Sequence, residues 1–157
     1  RMLTVGSAAE LGFTGTQKLP AGEHAPCEPT SDYGRAKLAV TRLVCEARST
    51  VGLEIVVART FNLVGPGLSE TLALGRFAQQ IAAYRRGEID RICCGRLDHR
   101  RDYVDVRDAV SGYQLLLEHG RPGEVYNVCS GHSRQMGELL KFMLQAADVA
   151  APIEIAD

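Results

Sequence analysis

Residues 31–37 read SDYGRAK and open a run in which apolar side chains recur at helical spacing to about residue 50. Thr30 or Ser31 can cap such a helix, because a hydroxyl there accepts a hydrogen bond from an otherwise unpaired amide. Tyr33 and Lys37 stand four residues apart, which places them on one helix face about a turn apart. An ammonium beside a phenol stabilises the phenolate, so the pair is suited to proton transfer at an alcohol or ketone. Taken alone, such a pair is more typical of a solvated helix surface.

Short β-rich runs alternate with helical stretches along the rest of the chain, which predicts an α/β fold. We predict helices over about 31–50, 71–86 and 135–147, and a further helix that begins near Arg107 or is capped by Asp108. Predicted strands cover residues 2–6, 53–58, 92–94, 103–106 and 125–128.

The composition is that of an ordinary globular protein with one real core. The chain has 157 residues, of which 45% are hydrophobic and 24% charged. Its 18 basic and 19 acidic residues give a net charge of −1, so we expect no general attraction to nucleic acid or to an anionic membrane. No apolar run approaches the ~20 residues of a membrane span, and no signal peptide is recognisable. We therefore expect a cytoplasmic protein.

The cysteine pattern indicates neither a disulfide framework nor a metal site. Five cysteines occur, at positions 27, 45, 93, 94 and 129, and no two of them form a Cys-x-x-Cys motif. No histidine is spaced to complete a zinc site with them. We expect reduced thiols and no bound metal.

Five segments stand in an informative order. These are residues 4–12 (TVGSAAELG), the pair Tyr33 and Lys37, residues 58–67 (ARTFNLVGPG), residues 100–108 (RRDYVDVRD) and residues 123–131 (GEVYNVCSG). In this order the chain resembles the extended short-chain dehydrogenase/reductases, the NAD-dependent epimerase/dehydratase family, which act on nucleotide-diphosphate sugars. Within them it is most similar to the GDP-4-keto-6-deoxy-mannose reductases.

The resemblance implies the C-terminal half of a Rossmann-like, doubly wound parallel sheet with a small α/β substrate-binding subdomain. On this basis residues 1–65 and 101–130 would belong to the dinucleotide-binding domain. Residues 66–100 and 131–157 would form the subdomain that binds the sugar nucleotide.

The resemblance also implies the catalytic residues. Ser7 matches the family's catalytic hydroxyl, which holds the substrate oxygen, and Tyr33 matches its acid/base. Lys37 matches the residue that binds the nicotinamide ribose and stabilises the phenolate. Tyr33, Lys37 and Thr60 are thus expected to contact the cofactor, NAD or NADP.

Further matched positions imply a nucleotide-diphosphate sugar as the partner, with a GDP-linked sugar favoured. Asn62 matches a position near the phosphates, and Arg101 matches an arginine that pairs with the diphosphate. Arg134 is a candidate for a second phosphate contact. Relatives usually form homodimers through the helices beside the catalytic tyrosine, so a homodimer is implied here as well.

The residues just after Ser7 lack groups that some reactions of this family need, so fewer reactions remain possible. The family's dehydratases keep carboxylates just after the catalytic hydroxyl, where this chain has Ala8 and Ala9. Relatives that epimerise at carbons 3 and 5 carry a cysteine at the position of Ala9. Reduction of a 4-keto group, or 4-epimerisation through a transient ketone, needs only Ser, Tyr and Lys. The chain also departs from the family's sequence pattern at Leu11, where relatives usually have Tyr.

No segment matches the Gly-rich turn that holds the cofactor pyrophosphate in this family. The sequence Gly65-Pro66-Gly67 cannot replace it, because Pro lacks an N–H and the segment follows a later strand. We therefore expect a fragment that lacks the first half of the domain and has negligible NAD(P) affinity and no turnover by itself. Two alternatives stay open: a UDP-sugar 4-epimerase and a non-catalytic sugar-nucleotide-binding remnant.

Overall fold

The computed structural model describes residues 1–12 and 19–156, and over these residues it confirms the predicted α/β fold. The described residues form the α-helices α1 (Asp32–Val51), α2 (Ala73–Arg85), α3 (Val106–His119) and α4 (Met136–Ala146). The strands are β1 (Met2–Ser7), β2 (Ile55–Thr60), β3 (Asn62–Val64), β4 (Ile92–Cys94), β5 (Arg100–Asp105), β6 (Val125–Val128), β7 (Ser133–Gln135) and β8 (Ile153–Ile155). A short 3₁₀ helix, Ala8–Glu10, follows β1 directly.

The chain divides into two compact units. The first unit comprises Arg1–Leu63 and Tyr103–Gly131, and the second comprises Val64–Asp102 and His132–Asp157. The assignment of cofactor and substrate binding to such units stays a prediction.

A parallel three-stranded sheet, in the order β1-β2-β6, forms the centre of the first unit. All six residues of β2 are buried, as expected for a central strand covered on both faces. The register pairs Ser7 with Thr60 and Thr60 with Val128. The carboxyl ends of the three strands therefore meet at one edge of the sheet, the usual place for a ligand site in such folds.

Helix α3 packs on this sheet through an apolar cluster. The buried members of the cluster are Ala58, Val104, Ala109 and Val128, and the partly buried members are Leu3, Leu63, Tyr113 and Leu116. Helix α1 contacts β1 and the 3₁₀ helix, and it ends at Gly52, whose φ of +67° is favourable for glycine.

The second unit contains two strand pairs and two amphipathic helices. Strands β4 and β8 pair in parallel, while β5 and β7 pair in antiparallel fashion. Helices α2 and α4 pack together through buried side chains at helical spacing, namely Leu74, Phe77, Ile81, Met136, Leu140 and Leu144. Strands β3, β7 and β8 are missing from the sequence prediction, because each has only three residues and is too short to show a periodic pattern.

The predicted cap of α3 is wrong. Helix α3 begins at Val106, and its N-cap is Asp105, whose carboxylate accepts a hydrogen bond from the Arg107 backbone amide at 2.8 Å. Asp108 lies in the first turn instead, where a carboxylate still interacts favourably with the helix dipole. The chain was expected to stay extended through Val106, but Asp105 ends β5 and starts the helix at once.

Among the described residues we find no helix with the length and hydropathy that crossing a bilayer requires.

The cap makes the stability of the first unit sensitive to acid. Hydrogen bonds from the Arg107 side chain and backbone lower the pKa of Asp105 from 3.8 to about 2. A lowered pKa contributes stability above the unfolded value, and this contribution is lost as the pH falls through the folded value. We expect Asp105→Asn, which keeps the cap, to abolish this contribution. The difference in melting temperature between the parent chain and the variant should shrink from about pH 5 to about pH 2. A constant difference in thermal melts over this range would contradict the assignment.

Candidate active site

Ser7 ends β1 and is the N-cap of the 3₁₀ helix that follows. Its backbone is extended, with φ −148° and ψ 142°, and its Oγ accepts a hydrogen bond from the Ala9 amide at 3.2 Å. A serine hydroxyl has one proton to donate and two acceptor sites. Because the contact with Ala9 uses an acceptor site, the proton can be donated to another oxygen, such as that of a bound carbonyl.

Helix α1 begins close to this segment because of a glycine in its first turn. The Ser31 Oγ caps the helix by accepting a hydrogen bond from the Gly34 amide at 3.0 Å, which selects Ser31 over Thr30 as the cap. A Cβ atom on Gly34 would lie 2.4 Å from the carbonyl oxygen of Ala9. Only glycine therefore lets the helix approach the backbone just after Ser7 so closely, and this approach holds the first turn of α1, which carries Tyr33, against that backbone.

Tyr33 and Lys37 form the expected pair on α1. The Nζ of Lys37 lies 5.8 Å from the centroid of the Tyr33 ring and donates a hydrogen bond to the carbonyl oxygen of Val5 at 3.1 Å. This bond fixes the ammonium to β1 two residues before Ser7. Tyr33 is 58% exposed. The structure thus gathers Ser7, Tyr33 and Lys37 near the carboxyl end of β1, with the tyrosine side chain open to solvent.

Thr60 and Asn62 lie at the same sheet edge. Thr60 ends β2 opposite Ser7 and is buried, and its hydroxyl lies 2.7 Å from the hydroxyl of Tyr113 and 3.3 Å from the carbonyl oxygen of Ala58. This hydroxyl is engaged within the fold. Asn62 opens β3 and is exposed. Cofactor contact by Thr60 and nucleotide contact by Asn62 stay predictions.

Arg101 and Arg134 meet in the second unit. They are direct partners in the β5–β7 ladder, so their side chains leave from the same face of the sheet. Both are exposed, and within residues 1–12 and 19–156 neither forms an ion pair with a carboxylate. Like charges placed directly opposite each other are unfavourable on their own. A bound anion such as a diphosphate would relieve this repulsion.

Glu10 is a site-related residue that the sequence analysis missed. It is fully buried, and its carboxylate accepts hydrogen bonds from the Ser7 amide at 2.8 Å, the Thr41 hydroxyl at 3.1 Å and the Arg59 Nε at 3.3 Å. The spacing Ser7-x-x-Glu10 is that of a capping box, a signal that could have revealed it. Because the carboxylate is enclosed, it is not available as the additional acid or base that dehydration needs.

Within the described residues, the cysteines and the metal-ligating side chains form no competing centre. All five cysteines are free thiols, and burial raises the pKa of both Cys45 and Cys94, which disfavours their thiolates. For Cys45 the negative charges of Glu124 and Glu10 add to this effect. Across the part of the chain that the structure describes, no cluster of three or more His, Cys, Asp or Glu side chains could hold a metal ion.

Comparison with known proteins identifies the family. The model of the NAD dependent epimerase/dehydratase family matches residues 1–129. The chain belongs to this family. The predicted resemblance is therefore confirmed, and the arrangement around Ser7, Tyr33 and Lys37 lies within the matched region.

Individual known proteins also align over nearly the whole chain. GDP-6-deoxy-D-mannose reductase from Pseudomonas aeruginosa is 36% identical over 152 residues, which are 96% of this chain and 50% of the relative. The dTDP-6-deoxy-L-talose 4-dehydrogenase (NAD(P)(+)) from Kitasatospora kifunensis is 29% identical over an alignment that includes 100% of this chain and 49% of the relative. The solved structure of RMD from Pseudomonas aeruginosa complexed with NADPH matches with a TM-score of 0.92 at 35% identity, over 98% of this chain and 52% of that one. The chain thus spans about half the length of the curated relatives it matches.

Proposed function

We propose that this chain carries the catalytic side chains of an NAD(P)H-dependent reductase that acts on a nucleotide-diphosphate 4-keto-6-deoxy sugar, with a GDP-linked sugar favoured. The proposal rests on the grouping of Ser7, Tyr33 and Lys37 around the end of β1. The similarity to the Pseudomonas aeruginosa GDP-6-deoxy-D-mannose reductase supports the choice of substrate. Ala8 and Ala9 after the catalytic serine favour reduction over dehydration.

In the proposed reaction, Tyr33 gives its proton to the keto oxygen of the sugar. The Ser7 hydroxyl donates a hydrogen bond to that same oxygen, since its contact with Ala9 leaves the proton free to be donated. Lys37 stabilises the phenolate that Tyr33 becomes. NAD(P)H, when bound, supplies the hydride for the keto carbon.

Lys37 is suited to bind one part of such a cofactor, the nicotinamide ribose. An ammonium group has three hydrogen-bond donors, and Lys37 uses one of them on the carbonyl oxygen of Val5. The remaining donors can hold the hydroxyls of the nicotinamide ribose. The Gly-rich turn for the pyrophosphate does not occur in this sequence. We therefore propose that the chain alone has negligible NAD(P) affinity and no turnover.

A homodimer is a further part of the proposal. Helix α1 exposes Val40 and Leu43, which are 44% and 66% accessible, and a second copy of the helix could cover them. Sedimentation equilibrium distinguishes the dimer from a monomer.

A fusion tests the proposed function. We define the joined enzyme as this chain connected to the half of the Pseudomonas aeruginosa reductase that it does not cover. With GDP-4-keto-6-deoxy-mannose we expect the joined enzyme to consume one NADPH per sugar reduced, and the chain alone to consume none. With a UDP-sugar that carries a hydroxyl at carbon 4 as the substrate instead, inversion at carbon 4 without net change in NAD(P)H would identify a 4-epimerase. Binding of GDP without any turnover by the joined enzyme would identify a sugar-nucleotide-binding remnant.

The paired arginines give a binding prediction that this chain can test by itself. We expect Arg101→Ala and Arg134→Ala each to weaken GDP binding by about tenfold or more, because each removes a charge-assisted hydrogen bond to phosphate. Isothermal titration calorimetry measures the change. Arg100→Ala is the matched control, since Arg100 precedes Arg101 in β5, points to the opposite face and donates hydrogen bonds to Ser133. Equal losses in all three variants would mean that only general charge attracts the nucleotide.

A further inference from the structure

We propose that Glu10 is the positioning residue of the Ser7 hydroxyl, and that Thr41 and Arg59 hold Glu10 in place for this task. The inference rests on the proposed function, in which the Ser7 hydroxyl donates to the keto oxygen. It adds a buried group that never touches the substrate and acts only through Ser7.

Two hydrogen bonds join Ser7 to the turn that follows it, and in one of them Ser7 is the donor while in the other it is the acceptor. The Glu10 carboxylate accepts from the Ser7 amide at 2.8 Å, and the Ser7 Oγ accepts from the Ala9 amide at 3.2 Å. The first bond fixes the backbone of Ser7, and the second fixes its side chain. Release of the Ser7 amide would let the end of β1 rotate and carry the hydroxyl with it.

Glu10 is itself held from two other elements. Thr41 of α1 donates to its Oε1 at 3.1 Å, and Arg59 of β2 donates to its Oε2 at 3.3 Å. Arg59 is held in turn, because it donates to the carbonyl oxygen of Glu23 at 3.1 Å and contacts the Cys27 Sγ at 3.4 Å. The position of the carboxylate is therefore set by helix α1, strand β2 and the loop before α1 together.

The burial of this pair argues for a role beyond stability. The Glu10 side chain is 0% accessible and that of Arg59 is 4% accessible. Removing two charges from water is unfavourable, and apolar side chains of similar volume often serve stability equally well. What an apolar pair cannot do is accept the hydrogen bond of the Ser7 amide.

The strand also leaves room for the carboxylate. A Cβ atom on Gly6 would lie 2.6 Å from the Glu10 Oε1. The residue before Ser7 thus has no side chain at the point where the carboxylate passes. Sequence, burial and hydrogen bonding all direct the oxygen of Glu10 to the Ser7 amide.

Amide hydrogen exchange in this chain tests the inference. The Ala9 amide is the reporter, because its partner is the Ser7 hydroxyl oxygen itself and Glu10 does not bond it. Glu10→Gln leaves Arg59 buried without a counter-charge and is prone to unfold. The main variant is therefore the double substitution Glu10→Leu with Arg59→Met, which replaces the pair by apolar side chains. Ser7→Ala serves as the reference, and Ile55→Val, a buried substitution in β2 away from the pair, controls for general loss of stability.

If Glu10 positions the hydroxyl, the Ala9 amide of the double variant exchanges at least about tenfold faster than in Ile55→Val and as fast as in Ser7→Ala. Protection of Ala9 equal to that in Ile55→Val would overturn the inference. In the joined enzyme, the double variant should lower kcat with KM unchanged, and adding Ser7→Ala should cause little further loss, since both act on one hydroxyl. Additive losses would also overturn it. A joined enzyme that is inactive without any substitution refutes the proposed function, and the exchange of Ala9 still decides the role of Glu10.

Discussion

Replacing Tyr33 with Phe is expected to lower kcat of the joined enzyme by about 100-fold or more, because the keto oxygen loses its proton donor. The ring that packs near the Lys37 ammonium is kept, and Tyr33 is 58% exposed, so folding should be unaffected. Consumption of NADPH with the 4-keto sugar measures the rate. Thermal melts of the variant should match those of the parent chain.

The matched control for this substitution is Tyr84→Phe. Tyr84 lies in α2 of the second unit, and its hydroxyl donates a hydrogen bond to the carbonyl oxygen of Ala150 at 3.5 Å. The control variant loses a phenolic hydroxyl, like Tyr33→Phe, but at a position without a proposed role. Its kcat should stay close to that of the parent. An unchanged kcat in Tyr33→Phe would remove Tyr33 from the mechanism.

Replacing Gly34 with Ala should both destabilise the first unit and impair catalysis. Helix propensity alone predicts that Ala stabilises α1 by up to about 1 kcal/mol. The tertiary contact predicts the opposite sign, because the new Cβ would lie 2.4 Å from the backbone oxygen of Ala9 and 3.0 Å from the Cβ of Pro29. We expect the free energy of unfolding to fall by about 1–3 kcal/mol, as in other overpacked sites. Displacement of Tyr33 from Ser7 should also lower kcat by on the order of 100-fold.

Gly112→Ala is the control for this prediction. Gly112 lies within α3, and its added Cβ would have its nearest neighbour, on Val128, at an ordinary 3.9 Å. Helix propensity therefore decides its effect, and urea denaturation should show equal or higher stability than the parent. If Gly34→Ala is as stable as Gly112→Ala, the close approach of α1 to Ala9 does not exist in solution.

The larger elements could be predicted because their patterns are long and strong. The helix that begins at Asp32 has a hydroxyl cap and apolar side chains at helical spacing, and the buried strand Ile55–Thr60 is close to the predicted one. Three-residue strands such as β7 and β8 give no comparable pattern. The cap of α3 was misplaced by three residues, because both Asp105 and Asp108 are chemically suited to a cap and only the backbone conformation distinguishes them.

In the candidate site, too, some features could be predicted from the sequence and others could not. Tyr33 and Lys37 could be found from the sequence, since a separation of four residues on a helix fixes their neighbourhood locally. The order of short motifs carries the resemblance to the family, and this resemblance implied the types of the expected reacting groups. The helical spacing of Tyr33 and Lys37, and each motif by itself, depends only on residues close together in the chain.

What the sequence by itself determined is therefore which chemical groups this protein has and which helices and strands carry them. Only the tertiary structure decided that Glu10 is enclosed by Arg59, 49 residues away, and that Gly34 lies against Ala9. It likewise decided that Arg101 faces Arg134 across a strand pair. The physical reason is that burial, close approach and cross-strand register arise from contacts between distant segments, and these form only when the sheet and its helices pack together.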